Sequence, residues 1–152
     1  ACKAHHVPVI VDPKGTNWMK YAGADYITPN LKEINAVLAD PIRNEDQPVE
    51  TAARTVMKKY QLGSLIVTRS EAGLSLICEE EIKHIPTKAQ EVFDVSGAGD
   101  TVIAVFAMGI AGGIAPVASA YLANLAAGVV VAKLGTYAVS REELLKALEK
   151  EK

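Results

Sequence analysis

The chain has 152 residues, 49% of them hydrophobic and 22% charged, which is enough for one domain with a sizeable core. Its formal net charge of −2 excludes a broadly basic surface for nucleic acid. The two cysteines, Cys2 and Cys78, are too few for a disulfide framework or a zinc site, so a reducing cytoplasmic location is expected.

The first half of the chain alternates short apolar runs with helical patterns. β-Branched runs predict strands at 7–11 and 25–28, and Pro29 ends the second of them. The apolar spacing that follows predicts a helix whose buried face is Leu31, Ile34, Val37 and Leu38.

A polar connector over 41–48 leads into a second helix. Asp46 and Pro48 mark its start, and apolar residues at helical spacing continue it to Tyr60. Three further strands are predicted at 64–68, 74–78 and 82–85. The last two form a hairpin around the acidic turn 79–81.

No charged residue occurs in the segment 101–132, a length that invites a membrane interpretation. Glycines and Pro116 break the run near its middle, and most of its residues are Ala, Val and Gly. The segment therefore predicts two tightly packed buried helices, over 98–111 and 116–133, and no membrane span.

A capping-box pattern at Ser140 and Glu143 predicts a last helix that ends near Glu149. Strands that alternate with helices predict an α/β fold with a mainly parallel sheet, flanked by helices, plus a β-hairpin. Ligands of such sheets bind past the carboxyl ends of the strands. The polar residues expected at that edge are Asp12, Asn30, Thr68 and Asp94.

The most informative stretch is the octapeptide Asp94–Thr101. A β-like segment ends at Phe93, two glycines then open a tight turn, and a helix begins near Ala98. The N–H groups and the positive end of that helix predict an anion site at Gly97, Ala98 and Gly99. Asp100 lies beside it in the first helical turn. Amides that hold a moving phosphate beside a carboxylate that takes the acceptor's proton suit phosphoryl transfer.

The alternative for this motif is a tight strand-to-helix turn in which Asp100 only complements the helix dipole. Two other phosphate-binding patterns are excluded. The sequence has no Gly-x4-Gly-Lys-Ser/Thr, and position 102 is Val where a dinucleotide fingerprint needs its third glycine.

The octapeptide resembles the Asp-x-x-Gly-Ala-Gly-Asp signature of the ribokinase-like (PfkB) carbohydrate kinases. The resemblance implies Asp100 as general base, the amides of Gly97, Ala98 and Gly99 as the anion hole, and ATP with Mg²⁺ as cofactors. It also implies a monovalent cation such as K⁺, which Asp94 would bind together with the Ser96 region and the loop 135–140. Capping of the motif turn is the alternative role for Asp94.

Asn30 and Glu33 place an amide and a carboxylate three residues apart at a helix start. Oxygen ligands with retained waters suit Mg²⁺. The pair is similar to the family's Asn-x-x-Glu motif, which supports magnesium and phosphate binding. A plain N-cap followed by an early Glu is the alternative.

The stretch 68–73 resembles the family's nucleotide loop, in which Thr68, Ser70 and Gly73 would line the ATP phosphates and ribose. The family often has Gly where this chain has Ser70, and an ordinary hairpin turn is the alternative. Asn124 resembles the family's Asn near the adenine, or is a buried amide bonded to backbone. Lys14 would pair with ATP or a sugar phosphate, or is a solvated loop lysine.

Longer stretches resemble one branch of the family, the bacterial D-glycero-β-D-manno-heptose-7-phosphate kinases. These stretches are 11–15, 28–31, 67–73, 90–101 and 126–136. The resemblance implies a Rossmann-like ribokinase fold and ATP-dependent phosphorylation of the anomeric C1 hydroxyl, for ADP-heptose and lipopolysaccharide core synthesis. The alternatives are another sugar or nucleoside kinase of this family, or a non-catalytic nucleotide-binding module.

Ribokinase-like kinases are about twice as long as this chain. The resemblance therefore implies that residues 1–152 are the C-terminal part of one kinase domain, without the sugar-binding half and the lid that makes a homodimer. We expect little or no kinase activity from these residues alone. In many bacteria this kinase is fused to an adenylyltransferase, but the chain has no His-x-Gly-His motif, so we expect it not to carry that second activity.

Overall fold

A five-stranded mixed sheet organises the first part of the chain. The computed structural model describes residues 2–87 and 92–151, which fall into two units, Ala1–Ile85 and Pro86–Lys152. The strands of the first unit lie side by side in chain order. They are β1 (Ile10–Val11), β2 (Tyr26–Ile27), β3 (Ser64–Thr68), β4 (Leu74–Ile77) and β5 (Ile82–Ile85).

Strands β1, β2 and β3 are parallel, and β4 and β5 extend the sheet as an antiparallel hairpin. A parallel bridge between Asn30 and Thr68 continues the β2–β3 pairing beyond the strand ends. Asp12 directly follows β1. Asp12, Asn30 and Thr68 thus lie at the carboxyl ends of three neighbouring parallel strands, because parallel strands end at the same edge of a sheet.

The first predicted strand is shorter than expected. Residues 7–9 lie outside β1, because the Val9 amide bonds to the Asp25 side chain and not to the backbone of the neighbouring strand. The Val9 amide donates to Asp25 Oδ2 at 2.7 Å, and the Val9 carbonyl accepts from the amides of Asp25 and Tyr26. The Val7 amide donates back to the Cys2 carbonyl, at the short 3₁₀ helix Cys2–His5.

Two α-helices belong to this unit, α1 (Leu31–Asn35) and α2 (Asp46–Tyr60). The prediction that Val37 and Leu38 continue α1 is wrong. The Val37 amide bonds to the Ile34 carbonyl in a turn, and the Asn35 side chain pairs with the backbone of Ile42. Val37 is buried all the same, because the turn still faces the core.

The core of the first unit lies between the sheet and α2. Helix α2 buries one stripe of residues with helical spacing: Val49, Ala52, Ala53, Val56 and Tyr60. Trp18 is fully buried in a 3₁₀ helix (Trp18–Tyr21) that the sequence did not predict, and its indole N–H donates to the Gly15 carbonyl at 2.9 Å. Complete burial of one large apolar side chain stabilises a fold by about 1.5–3 kcal/mol.

The second unit contains α3 (Ala98–Ala111), α4 (Pro116–Val131) and α5 (Arg141–Glu149). The uncharged segment 101–132 thus forms two packed helices, as predicted, although α4 ends two residues before the expected Lys133. In the described residues, no helix is both long enough and apolar enough to cross a membrane. The predicted capping box of α5 is present, with reciprocal bonds between Ser140 and Glu143.

The sequence predicts a β-like segment that ends at Phe93, but Val92 and Phe93 form no strand. The residues before them, 88–91, include the start of the stretch 90–101 and lie outside the described residues. The amides of Phe93 and Asp94 instead donate to the Val131 carbonyl at 2.8 and 3.3 Å, at the end of α4. This part of the chain is bonded to a helix terminus and not to a strand.

Candidate kinase site

Gly97 is the N-cap of α3, and its backbone has the left-handed conformation, with φ of 80°. An L side chain would be strained there, so the turn requires glycine. The Thr101 amide and hydroxyl both donate to the Gly97 carbonyl at 2.9 Å. These bonds close the turn that the sequence predicted.

The first-turn amides of a helix lack carbonyl partners within that helix. In α3 the Ala98 amide donates instead to the Val95 carbonyl at 3.2 Å. The amides of Gly99 and Asp100 are the next two at this terminus. An anion at α3 would therefore use these two amides first, and would have to exchange the Val95 bond to use Ala98.

Gly99 has open space where a side chain would stand. A Cβ added to it would meet nothing within 4 Å, and its backbone is not in the left-handed region. The fold thus gives no steric reason for glycine at this position. The Asp100 carboxylate beside it is exposed, so both the amides and the carboxylate are accessible to a bound molecule.

The Asp94 carboxylate joins two segments of the second unit. Its Oδ1 accepts from the Ser96 amide at 2.8 Å, and its Oδ2 accepts from the Gly135 amide at 3.1 Å. The hydrogen bonds from Ser96, followed by the one from Gly135, lower the pKa of Asp94. Asp94 therefore caps the motif turn and also holds the loop that was expected beside a monovalent cation.

In the first unit, Asn30 and Glu33 form a capping box at the start of α1. Asn30 Oδ1 accepts from the Glu33 amide at 2.9 Å, and Glu33 Oε2 accepts from the Asn30 amide at 2.8 Å. Lys14 Nζ lies 2.9 Å from Asp12 Oδ2 and 3.3 Å from Glu33 Oε1. The hydrogen bond to Asp12 is the main reason that the pKa of Lys14 is raised.

These oxygen atoms suit Mg²⁺ by their chemistry, but they are few. In the ranges 2–87 and 92–151, no three His, Cys, Asp or Glu residues converge as metal ligands. Magnesium commonly binds through one or two carboxylates, retained waters and substrate phosphates. The donor set of Asn30, Glu33 and Asp12 therefore fits a magnesium ion that arrives with a nucleotide, and not a site made by the protein alone.

The predicted nucleotide loop contains a 3₁₀ turn, Ser70–Ala72, between β3 and β4. Ser70 is in the left-handed region with φ of 53°, a conformation that glycine adopts more readily. Gly73 has φ of 80° and ψ of −125°, which only glycine adopts without strain. The left-handed backbone at Ser70 thus explains why a glycine, which the family often has here, would suit this position.

Asn124 is buried in α4, and its Nδ2 donates to the Pro86 carbonyl at 2.8 Å. This is the geometry of a buried amide bonded to backbone, the alternative interpretation of this residue. An adenine contact would have to use the remaining hydrogen-bonding capacity of the same amide group.

A buried polar network beside the predicted nucleotide loop was not found by sequence reasoning. Arg69 is only 3% exposed and donates to Asp46, Asn44 and Ser75, while His84 connects Ser75 to Glu50. The one available signal was an arginine directly after a strand with an apolar centre, Leu65 to Val67. Its partners are up to 25 residues away in the chain, so no local pattern points to them.

Part of this network has the order of a hydrolytic triad. Ser75 Oγ lies 2.7 Å from His84 Nδ1, and His84 Nε2 lies 2.8 Å from Glu50 Oε1. Ser75 is completely buried, however. No substrate can reach its hydroxyl, so the three residues form a structural chain of hydrogen bonds and not a nucleophilic site.

Sequence and structure comparisons give the class of protein to which this fold and motif belong. The pfkB family carbohydrate kinase model matches residues 1–143. The chain therefore belongs to the pfkB family of carbohydrate kinases, and its fold is the ribokinase-like α/β fold.

Among curated proteins, the chain is similar to bifunctional HldE proteins. It is 50% identical over 147 residues to that of Trichlorobacter lovleyi, which covers 96% of this chain and 30% of that protein. It is 48% identical over 147 residues to that of Mesorhizobium japonicum, with 97% and 29% coverage. The chain thus spans less than a third of the length of these relatives.

Among solved structures, the ribokinase of Thermotoga maritima superposes with a TM-score of 0.85 at 30% identity, over 97% of this chain and 51% of that one. Arabidopsis thaliana ribokinase, complexed with ribose and ATP, gives 0.86 at 24% identity, over 97% and 49%. Escherichia coli phosphofructokinase-2, in complex with potassium, gives 0.85 at 16%, over 97% and 48%. The chain spans about half the length of these structures.

Proposed function

We propose that the chain is the C-terminal, nucleotide-binding and catalytic part of one ribokinase-like kinase domain. The kinase transfers the γ-phosphoryl group of ATP to the C1 hydroxyl of D-glycero-β-D-manno-heptose 7-phosphate. The product is the 1,7-bisphosphate, an intermediate for ADP-heptose and lipopolysaccharide core synthesis. The reaction is proposed to take place in the cytoplasm, and the longer protein is proposed to be a homodimer.

The observation that carries this proposal is the α3 terminus. Its turn is closed by bonds from Thr101 to the Gly97 carbonyl, the space in front of Gly99 is open, and the Asp100 carboxylate is exposed beside it. Preorganised amides stabilise developing negative charge without a reorganisation cost at the moment of reaction. The arrangement thus supplies an anion site and a proton acceptor within one helical turn.

In the proposed reaction, Asp100 accepts the proton of the C1 hydroxyl while that oxygen forms a bond to the γ-phosphorus. The bond between the γ-phosphorus and the β–γ bridging oxygen breaks, and ADP leaves. The amides of Gly97, Ala98 and Gly99 are proposed to stabilise the charge on the transferring group, with Ala98 exchanging its bond to the Val95 carbonyl for one to the phosphate. Mg²⁺ supplies charge neutralisation of the phosphates when it is bound.

Residues of the first unit are assigned to the nucleotide and its metal. Thr68, Ser70 and Gly73 are proposed to contact the ATP phosphates and ribose, and Lys14 to pair with a phosphate. Asn30 and Glu33 are proposed to hold the magnesium ion through water. Lys14 already bonds to Glu33 and Asp12, so a phosphate would compete with these carboxylates for its ammonium group.

The choice of acceptor is supported by the five stretches that resemble heptose-7-phosphate kinases and by about 50% identity to bifunctional HldE proteins. The relatives are longer than this chain, and the sugar contacts of the family are expected in the part that it does not include. We therefore propose that residues 1–152 alone transfer phosphate slowly or not at all.

The test measures ATP- and Mg²⁺-dependent transfer to heptose 7-phosphate by this chain and by a version with the N-terminal half of the domain restored. Transfer only by the restored protein supports both the kinase and the partial-domain proposals. Nucleotide binding without transfer to any sugar or nucleoside in an acceptor panel would favour a binding module. Transfer to a different acceptor would keep the kinase and replace the substrate.

The role of Asp100 is tested in the restored protein. Asp100→Asn should reduce the transfer rate by about 10²–10⁴-fold, because the base is lost, with little change in ATP affinity. Asp40→Asn, which changes another exposed carboxylate in the turn after α1, is the matched control and should leave the rate unchanged. Near-normal turnover of Asp100→Asn would refute the assignment.

A further inference from the structure

The guanidinium group of Arg69 is buried in the protein interior, next to the predicted nucleotide loop, residues 68–73. Its Nη1 donates to Asp46 Oδ1 at 2.6 Å and to Ser75 Oγ at 3.0 Å, and its Nε donates to Asn44 Oδ1 at 2.9 Å. Burial of a charge is unfavourable unless it is paired and hydrogen-bonded. The side chain of Arg69 is therefore held in one position by several directed bonds.

The same residue closes the loop through its backbone. The Arg69 amide donates to the Gly73 carbonyl at 2.8 Å, and the Arg69 carbonyl accepts from the Ala72 amide at 3.1 Å. Asn44 Nδ2 donates to the Arg69 carbonyl at 2.9 Å, while Asn44 Oδ1 accepts from the guanidinium. Asn44 thus binds both the main chain and the side chain of Arg69, which links the position of one to the other.

The loop needs such support because its backbone is not in a relaxed conformation. Ser70 is left-handed although it has a side chain, and Gly73 lies in a region that only glycine tolerates. Conformations of this kind persist where the surrounding structure holds them. The bonds from α2 and from the segment before it to Arg69 provide that restraint.

His84 extends the network to a second carboxylate. His84 Nδ1 lies 2.7 Å from Ser75 Oγ and 3.3 Å from Arg69 Nη1. His84 Nε2 donates to Glu50 Oε1 at 2.8 Å, because a carboxylate can only accept. The hydrogen bond from Arg69 also lowers the pKa of Asp46, which keeps this partner ionised.

We propose that Arg69 is a positioning residue for the nucleotide. Its buried side chain, held by Asn44 and Asp46, sets the backbone of the loop 68–73 and thereby the affinity of that loop for the phosphates and ribose of ATP. Arg69 itself faces the protein interior and makes no contact with the ligand. The inference rests on the proposed role of this loop in nucleotide binding.

The experiment uses the restored kinase and compares Arg69→Lys with Asn44→Ala. Arg69 reaches Asp46 through Nη1 and Asn44 through Nε, whereas lysine has a single nitrogen, so it can keep the pair with Asp46 but cannot reproduce both bonds from their separate positions. We expect each variant to raise the Kd for ATP, measured by calorimetry, and the KM for ATP about tenfold. The KM for the sugar phosphate should stay within about twofold of the wild-type value.

Two features separate positioning from a purely structural role. The effects of the two variants on ATP affinity should be less than additive in the double variant, because both act through one contact. Arg43→Lys, the same change at an exposed arginine close to α2, is the matched control and should leave ATP affinity unchanged. Asn44 is only half-buried, so Asn44→Ala remains informative if Arg69→Lys does not fold.

The outcomes distinguish a failure of this inference from a failure of the proposed function on which it rests. If the wild-type protein binds ATP, and the variants lose urea resistance but keep wild-type ATP affinity, then Arg69 is a stability residue only and the inference is overturned. Equal increases in both KM values would also overturn it. If the wild-type protein does not bind ATP, the proposed function fails together with this inference.

Discussion

The close approach of α3 and α4 at Gly109 gives the sharpest stability prediction. A Cβ added to Gly109 would lie 2.5 Å from Ser119 Oγ and 2.8 Å from Ser119 Cβ. Carbon atoms in contact are normally about 3.5–4.0 Å apart. Rotation of the Ser119 side chain moves its Oγ but not its Cβ, so Gly109→Ala must push the two helices apart by roughly 1 Å.

The magnitude follows from two opposing effects. Overpacking of a well-packed interior costs about 1–3 kcal/mol. Replacement of a helical glycine by alanine returns about 1 kcal/mol through helix propensity. Because the 2.8 Å contact cannot be relieved by a rotamer change, we place the overpacking in the upper part of its range. The net loss in free energy of unfolding should then be about 1–2 kcal/mol.

The assay is urea unfolding followed by far-UV circular dichroism, in which the midpoint should fall without a change in slope. Gly99→Ala, the same substitution in the same helix, is the matched control, since a Cβ there meets nothing within 4 Å. The control should be as stable as the wild type or more stable. Gly109→Ala combined with Ser119→Gly should recover part of the loss, because the second change removes both contacting atoms. A Gly109→Ala protein as stable as the wild type would refute the packing argument.

The remaining predictions concern the anion site, the nucleotide loop and the last helix. In the restored kinase, Gly99→Ala should lower the phosphoryl-transfer rate at least tenfold, since the methyl group would occupy the space proposed for the phosphate. The free energy of unfolding should stay the same or increase. Unchanged transfer would contradict the anion-hole role. Ser70→Gly should raise the urea midpoint slightly, because removal of the left-handed strain at serine (about 1–2 kcal/mol) exceeds the entropic cost of glycine (about 0.5–1 kcal/mol). The control Ser64→Gly, in the extended backbone of β3, should lower the midpoint. Hydrogen bonds from Ser140 and Tyr137 lower the pKa of Glu143 from 4.5 to about 2, so its stabilisation of α5 is complete above about pH 4.5 and is lost as the pH falls through about 2. The urea midpoints of the wild type and Glu143→Gln should therefore differ at pH 7 and converge near pH 2, and parallel pH curves would speak against this origin of the stabilisation.

Local patterns in the sequence determined several elements to the residue. Strands β3 and β5 and helix α3 have the predicted bounds, because turn residues on both sides mark where each of them begins and ends. The start of α5 followed from Ser140 and Glu143, whose reciprocal bonds involve only neighbouring residues. Interactions that close within a few residues leave a signature that can be read along the chain.

The errors lie where a distant or non-periodic interaction decides the outcome. Strand β1 is short because Asp25, 16 residues away, takes the Val9 amide. Helix α1 ends early although the apolar pattern continues, since Asn35 bonds to Ile42. The 3₁₀ helix around Trp18 is too short to show a hydrophobic period.

For the candidate site, the sequence by itself determined the motif turn and the neighbouring carboxylate of Asp100, whereas the open space at Gly99 came from the structure. Only the tertiary structure revealed that the amide of Ala98 is bonded to Val95 and that Asn124 holds the backbone of Pro86. It alone revealed the burial of Arg69 among partners 6 to 25 residues distant. The physical reason is that a buried charge is stabilised by whichever groups the fold brings within hydrogen-bonding distance, and their separation along the chain carries no periodic signal.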